Sequence, residues 1–212
     1  EVMHGFRPDS FDTIVIDEVH RAGAESYQKI MSYFRPHMWL GMTASPDRTD
    51  GFDIYKLFDH NIAYEIRLQQ ALEENLLCPF HYFGITDITI DGVISDDALD
   101  SENEKDPNVK LRHFNYLTSD ARVGYIIDKA EYYGHSGSSV KGLIFCSRKD
   151  IGQELSAKFN ARGLHTVFLS GDDSQDKRDR CIDRLTSDDT DDPLDYIVTV
   201  DIFNEGVDIP EI

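Results

Sequence analysis

Two adjacent carboxylates, Asp17 and Glu18, follow the apolar run at residues 13–16, and His20 lies two positions further on. A short apolar run of this kind is typical of a buried β-strand, and open α/β sheets bind their ligands at the carboxyl ends of strands. An aspartate there can hold Mg²⁺, while a neighbouring carboxylate can orient and deprotonate a water that attacks a phosphate. The alternative is a strand end whose carboxylates are merely solvated, because acidic pairs also follow strands by chance.

The rest of the chain supplies the elements that would position these side chains. Short apolar runs alternate with helical patterns, which is typical of βαβ units and parallel sheets. Strands are predicted at residues 13–16, 38–42, 61–66, 79–85, 142–146, 166–169 and 196–200. Helices are predicted at residues 25–33, 51–58, 67–74, 121–133, 151–162 and 174–185. An acidic stretch divides the two sets, so we predict two domains rather than one continuous sheet with a long insertion.

The chain of 212 residues has a formal net charge of −19, which by itself argues against nucleic-acid binding. The charge is unevenly distributed. Residues 87–106 contain eight acidic side chains and one lysine, and residues 186–195 contain five aspartates and no basic side chain. We interpret both stretches as solvated loops, which leaves the remaining surface able to carry a basic patch.

Other features narrow the class of protein. No run of 18 or more apolar residues is present, so no membrane span is expected. The cysteines, at positions 78, 146 and 181, are odd in number and widely spaced. This favours reduced thiols in a cytoplasmic protein over a disulfide framework, and the histidines lack the spacing of a zinc site.

Five motifs lie along the chain, each at the exit of a predicted strand. They are Asp17-Glu18-Val19-His20, Thr43-Ala44-Ser45, Leu143-Ile144-Phe145-Cys146-Ser147, Ser174-Gln175-Asp176-Lys177-Arg178, and residues 197–210. In this order they closely resemble motifs II, III and IV, the Gln-x-x-Arg element and motif V of superfamily 2 helicases and translocases with a DEAD/DEAH-like box. Residues 41–48 look most like the branch that contains restriction-enzyme translocase subunits and repair helicases, which act on DNA.

The resemblance implies an α/β fold with two RecA-like parallel-sheet domains of the P-loop NTPase type, both incomplete. Residues 1–85 would form the later part of the first domain, and residues 119–212 the earlier part of the second. Residues 86–118 would be an acidic linker or insertion. The cofactors implied are ATP and Mg²⁺, bound in a cleft between the domains, and the partner is nucleic acid, with DNA favoured over RNA.

The resemblance also implies roles for residues of the first half. Asp17 would bind the Mg²⁺ of MgATP, and Glu18 would be the catalytic base. His20 would couple the nucleotide site to the second domain. Thr43 and Ser45 would relay the state of the nucleotide, because small hydroxyls exchange hydrogen-bond partners at little steric cost. An ordinary turn with a helix cap is the alternative for these last two.

In the second half, the resemblance implies that Gly206 and Asp208 face the nucleotide. The residues it implies for nucleic-acid binding are Arg148, Gln175, Arg178, Thr199 and Asp201. An arginine such as Arg178 can pair with a phosphate. A solvated helix face is an equally good interpretation of the basic residues at positions 177–184.

Two motifs of the family are missing. No Gly-x-x-x-x-Gly-Lys-Ser/Thr phosphate loop occurs, and the arginine-finger motif that follows motif V in the family is not found. A finger alone contributes a rate factor on the order of 10³ to 10⁵. We therefore expect a fragment of a larger motor that by itself neither binds ATP tightly nor hydrolyses it. A non-catalytic helicase-like binding module is the main alternative, and a different Mg²⁺-dependent phosphohydrolase is a more distant one.

Overall fold

The computed structural model of the chain describes residues 2–46, 51–89, 106–203, 209–210 and 212. The chain divides into two compact units, and the division falls between Tyr82 and Phe83. Among the described residues, no helix combines the length and the apolar character needed to span a membrane. Each unit contains its own parallel sheet.

The first unit is built around two parallel strands, β1 (Thr13–Ile16) and β2 (Met38–Gly41). Helix α1 (Glu25–Tyr33) connects them, and helix α2 (Leu68–Glu73) follows later. Short 3₁₀ helices span Val2–Gly5, Val19–Gly23 and Ile54–Phe58. In the register of the pair, Ile16 lies opposite Gly41, so the carboxyl ends of both strands reach the same edge.

A small core holds this edge in place. Its buried members are Ile16, Val19, Ala22 and Ile54. Phe58 packs against β2 so closely that a Cβ at Gly41 would lie 2.5 Å from the Phe58 ring. A glycine is therefore required at the end of β2 if the aromatic ring is to cover it.

The second unit has a three-stranded sheet flanked by helices. Its strands are β3 (Gly142–Phe145), β4 (Thr166–Leu169) and β5 (Tyr196–Thr199). Its helices are α3 (Pro107–Leu117), α4 (Asp120–Tyr133), α5 (Lys149–Ala161) and α6 (Gln175–Thr186). The strand order is β3-β5-β4 and both pairings are parallel, so the last strand in the chain lies at the centre.

The two faces of β5 organise two hydrophobic clusters. Val198 packs with residues of α4 and α5, including Val123 and Phe159, whereas Ile197 packs with Cys181 and Leu185 of α6. Successive side chains of a strand point to opposite faces. The helices therefore cover both faces of the sheet, as expected for a parallel α/β sheet.

The two parallel sheets confirm the predicted α/β class, and the strands at residues 13–16 and 166–169 have the predicted bounds. The strands predicted at residues 61–66 and 79–85 are wrong, since both segments are described and neither forms a strand. Residues 79–85 are rich in aromatic side chains, which favour strands, but Tyr82 is 87% exposed, and Tyr64 in the other segment is 75% exposed. Aromatic content indicates a strand only where a neighbouring strand can pair with it.

Regular structure also begins earlier in the second unit than predicted. Pro107 occupies the first turn of α3, where a missing N–H costs nothing. The carboxylate of Asp106 caps this helix by accepting from the amide of Asn108 at 2.8 Å. The segment predicted as a linker therefore contains a helix, and Tyr116 of that helix donates to the carbonyl of Ile88 at 2.6 Å.

The acidic stretches are not simply solvated. Asp87 accepts from Nε of Arg122 at 2.9 Å, and both side chains are only about one-fifth exposed. In the later stretch, Asp188 pairs with Lys141 at 2.7 Å, and Asp195 accepts from the backbone amide of His165 at 2.7 Å. These carboxylates anchor loops to the second unit.

Replacing Phe159 with alanine should lower the free energy of unfolding by about 3–5 kcal/mol, because the ring is 1% exposed in the main cluster of the second unit. Phe145→Ala removes the same ring from a position that is 54% exposed and should cost at most about 1 kcal/mol. Urea denaturation followed by circular dichroism compares the two. Equal losses would contradict the assigned core.

Candidate functional site

The tip of β1 is a sharp turn centred on Glu18. This residue has φ 49° and ψ 47°, a left-handed conformation that is uncommon for a residue other than glycine. The backbone amide of Glu18 donates to Oδ1 of Asp17 at 2.9 Å, which stabilises the turn. Left-handed residues other than glycine are enriched at functional sites, although Asp59, His60 and Asn75 of this unit also have positive φ.

Backbone hydrogen bonds tie this turn to the exit of β2. The amide of Met42 donates to the carbonyl of Ile16, and the amide of Val19 donates to the carbonyl of Met42, each at 2.9 Å. Val19 is 3% exposed and belongs to the core of the first unit. The two strand exits therefore form one continuous hydrogen-bonded structure.

Side chains from both exits converge on one imidazole nitrogen. Nδ1 of His20 lies 2.9 Å from Oγ1 of Thr43 and 3.1 Å from Oε2 of Glu18. Which partner donates depends on the tautomer of the ring. Oγ1 of Thr43 also accepts from the backbone amide of Ser45 at 3.0 Å. The structure thus brings four of the predicted site residues into one network.

Asp17 lies beside this network with its side chain exposed. Among the described residues, no group of three or more His, Cys, Asp or Glu side chains could hold a metal ion together. Mg²⁺ does not need such a group, because it usually keeps several waters and binds one or two carboxylates together with substrate phosphates. The donor set at the tip of β1 fits that kind of magnesium site.

In the second unit, the predicted nucleic-acid residues gather at the carboxyl edge of the sheet. Arg148 follows β3, and Thr199 and Asp201 lie at the end of β5. Arg178 lies in the first turns of α6, and its side chain extends back to the loop that follows β4. There it donates to the carbonyls of Gly171 at 2.9 Å and Ser170 at 3.3 Å. Parallel pairing places these three strand ends at one edge.

Arg148 is fully engaged within its own unit. Its Nε and one terminal nitrogen donate to the two carboxylate oxygens of Asp150, the first at 3.0 Å. The other terminal nitrogen donates to the carbonyl of Lys110 at 3.2 Å. The Arg148 hydrogen bonds hold the pKa of Asp150 below its usual value, so this carboxylate stays charged.

The remaining predicted residues of this edge differ in accessibility. Gln175 is exposed and donates to Asp179 at 2.7 Å, and Asp201 is exposed with φ 57°. The side chain of Thr199 is fully buried and contacts the carbonyl of Ile202 at 3.4 Å, so it does not face solvent.

Nε of Arg178 is sealed from solvent and has no hydrogen-bond partner among the described residues. Gly206 and Asp208 lie outside the residues that the structure describes.

The loop after β4 is held by several charged contacts that sequence patterns do not predict. Asp173 accepts from the amide of Ser170 at 2.8 Å and from Nζ of Lys177 at 2.6 Å. Lys177, and after it the Ser170 amide, hold the pKa of Asp173 below its usual value. Asp172 accepts from Nζ of Lys149 at 2.5 Å, which joins this loop to the start of α5. Tertiary contacts between charged loops have no local periodicity that would reveal them.

Two known protein families match the chain, one within each unit. Residues 2–48 match the family described as "Type III restriction enzyme, res subunit", and residues 125–212 match the "Helicase conserved C-terminal domain" family. The first match includes the β1–β2 network, and the second includes the whole three-stranded sheet. Together they confirm the resemblance to superfamily 2 helicases of the restriction-enzyme type.

Individual relatives agree with these families. A Saccharomyces cerevisiae protein provisionally named as an ATP-dependent helicase, IRC3, is 24% identical over 99% of this chain, which corresponds to 30% of that protein. A type I restriction enzyme EcoAI endonuclease subunit of Escherichia coli is 23% identical over 86% of this chain and 22% of its own length. The pre-mRNA-splicing ATP-dependent RNA helicase prp28 of Schizosaccharomyces pombe is 34% identical over 33% of this chain and 10% of its own length. The chain thus spans less than a third of each of these relatives.

Thr43→Val should expose the amide of Ser45 to exchange, because the variant lacks the oxygen that accepts from it. The loss of one such hydrogen bond, about 1 kcal/mol, corresponds to roughly fivefold faster hydrogen exchange. Thr43→Ser keeps the oxygen and should stay near the wild-type rate. Amide exchange measured by NMR on the three proteins tests this, and an unchanged rate in the valine variant would argue against the network.

Asp173→Asn should destabilise the chain at neutral pH, and the difference from wild type should shrink in acid. The pKa of Asp173 is lowered in the folded state, so its contribution is present above the unfolded pKa of about 3.9. That contribution is lost as the pH falls through the lower folded pKa, because the protonated aspartic acid of the wild type is then as neutral as the asparagine of the variant. Urea midpoints at pH 7 and near pH 3 give the comparison, and a difference that grows in acid would contradict the assigned ion pair.

Proposed function

We propose that this chain is part of an ATP-dependent helicase or translocase that couples ATP hydrolysis to movement on nucleic acid. One observation carries the proposal: Glu18, His20, Thr43 and Ser45 form a single hydrogen-bonded network across two strand exits. Such a network can connect a catalytic carboxylate to residues that respond to it. The matches to restriction-enzyme and helicase families support the same function.

At the nucleotide site, Asp17 would hold Mg²⁺, and Glu18 would act as the base toward water. Bound MgATP would supply the phosphoryl group and the metal charge that polarises it. Glu18 and Thr43 both contact Nδ1 of His20. A change in the hydrogen bonding of Glu18 would therefore change the hydrogen bond between His20 and Thr43. Thr43 in turn holds the Ser45 amide, which gives the relay a physical path.

The second unit would bind the nucleic-acid backbone at the carboxyl edge of its sheet. Gln175 is exposed at this edge, and Arg148 would meet a strand by exchanging its Asp150 partner for a phosphate. Arg178 would act by holding the loop after β4, because its terminal nitrogen is bound to that loop's carbonyls. Thr199 would support Asp201 from inside the core, and Gly206 and Asp208 would contribute to nucleotide binding as the resemblance implies.

The finer details belong to the same proposal. DNA is favoured over RNA because the first family match and the EcoAI relative are of the restriction-enzyme type, although the prp28 relative is named as an RNA helicase.

Residues 1–85 and 119–212 would be parts of two RecA-like domains, with residues 86–118 attached between them. The division at Tyr82 and Phe83 supports a boundary in this region. The spacing of the cysteines favours a cytoplasmic location.

Glu18→Gln in the complete natural protein should reduce DNA-stimulated ATP hydrolysis by about 10² to 10⁴, the usual contribution of a general base. Glutamine keeps the size and one oxygen of the side chain but cannot take a proton. Steady-state release of phosphate, with and without DNA, is the measurement. The 212-residue chain alone should show no turnover.

Three results would overturn parts of this proposal. Turnover by the 212-residue chain that Glu18→Gln abolishes would contradict the expected inactivity. Stimulation by RNA alone would contradict the choice of DNA. A complete protein that binds nucleic acid but hydrolyses no ATP would instead support a non-catalytic binding module.

A further inference from the structure

At the carboxyl edge of the β3-β5-β4 sheet, two neighbouring basic side chains are already paired with aspartates. Arg148 is held by Asp150, and Lys149 is held by Asp172 at 2.5 Å. A surface preformed for phosphates would present its guanidinium and ammonium groups to solvent. Here the charges that could attract a nucleic-acid backbone are neutralised by carboxylates of the same unit.

The pairing of Arg148 competes directly with phosphate geometry. A guanidinium binds phosphate or carboxylate best through two parallel N–H donors. In the structure, the Nε side of the guanidinium faces Asp150, and the remaining terminal nitrogen faces the carbonyl of Lys110. A backbone phosphate can gain the paired donors of Arg148 only if the Asp150 carboxylate leaves.

Exposure indicates which aspartates can leave. The side chains of Asp150 and Asp172 are 51% and 80% exposed, so a phosphate can approach both pairs. A surface pair with a single lysine, such as Asp172–Lys149, is weak, and the two-oxygen pair of Asp150 with Arg148 is stronger. Asp173 is different, since its side chain is 19% exposed and it also accepts from the Ser170 amide. Asp173 is therefore a fixed part of the loop. Asp172 accepts from Lys149 at the surface, whereas Asp150 accepts from Arg148 through both oxygens and from the amide of Ile151 at 3.0 Å, so Asp172 is the more easily displaced of the two.

We propose that Asp150 and Asp172 are internal competitors of the nucleic-acid backbone. They occupy Arg148 and Lys149 in the free protein, and phosphates displace them when a single strand binds. This inference rests on the proposed binding of nucleic acid at this edge, and it names the residues that set the strength of that binding. A strand that engages several phosphates displaces both carboxylates together, whereas a single anion gains too little to displace either.

The test measures binding of a fluorescein-labelled single-stranded oligothymidine to the full chain by fluorescence anisotropy. Asp172→Asn and Asp150→Asn should each tighten binding about three- to fivefold, which is the strength of one surface ion pair. Asp188→Asn is the matched control. Asp188 is 78% exposed and pairs with Lys141 at 2.7 Å, but Lys141 precedes β3 and so lies at the opposite edge of the sheet. Its removal changes the net charge equally and should tighten binding less than about twofold.

A double-mutant cycle with Lys149→Gln separates local competition from a general charge effect. Lys149→Gln should weaken binding, and in its presence Asp172→Asn should change the affinity by less than about twofold. Equal tightening by Asp172→Asn and Asp188→Asn would overturn the inference. If Lys149→Gln and Arg148→Gln weaken binding while neither asparagine variant tightens it, Asp150 and Asp172 do not compete with the strand. The proposed nucleic-acid interface would still be supported. If neither wild type nor any variant binds the strand, both proposals fall.

Discussion

The candidate nucleotide site depends on hydrogen bonds that continue the pairing of β1 and β2 beyond the strands themselves. Met42 uses both its amide and its carbonyl on the opposite chain segment, toward Ile16 and Val19. This leaves Glu18 in a left-handed turn and places His20 beside Thr43. Because backbone groups set the spacing, the side-chain network is as precise as the sheet that supports it.

How much the sequence could predict depended on the range of the interactions. Buried strands such as 166–169 and the acidic tip of β1 were predictable, because local hydrophobicity and turn chemistry agree there. Aromatic content is a misleading signal at residues 79–85, where no strand forms, and α3 begins inside the stretch predicted as a linker. Both outcomes follow because strand pairing and helix capping are decided by neighbours. The spacing of motifs predicted the loops of the candidate site. It could not show that Arg178 faces carbonyls or that Thr199 is buried, since both depend on tertiary packing.

The acidity of the chain has a structural use in the second unit. Asp120 pairs with Lys158 and Arg162, whose hydrogen bonds lower its pKa, Arg162 having the larger effect. Asp87 and Asp188 likewise pair with basic side chains far away in sequence. Each exposed pair contributes little free energy, but each one connects a loop or helix to another element. Formal net charge is therefore a poor guide to the potential at any one surface of this chain.

The central position of β5 has a consequence for biosynthesis. β3 and β4 do not pair with each other, and each of them pairs with β5 (Tyr196–Thr199). On the ribosome, β3 and β4 would both emerge before their shared partner, so this sheet cannot form until β5 has been synthesised. Open edges are templates for aggregation, and a nascent chain stalled before β5 would be a natural client for chaperones.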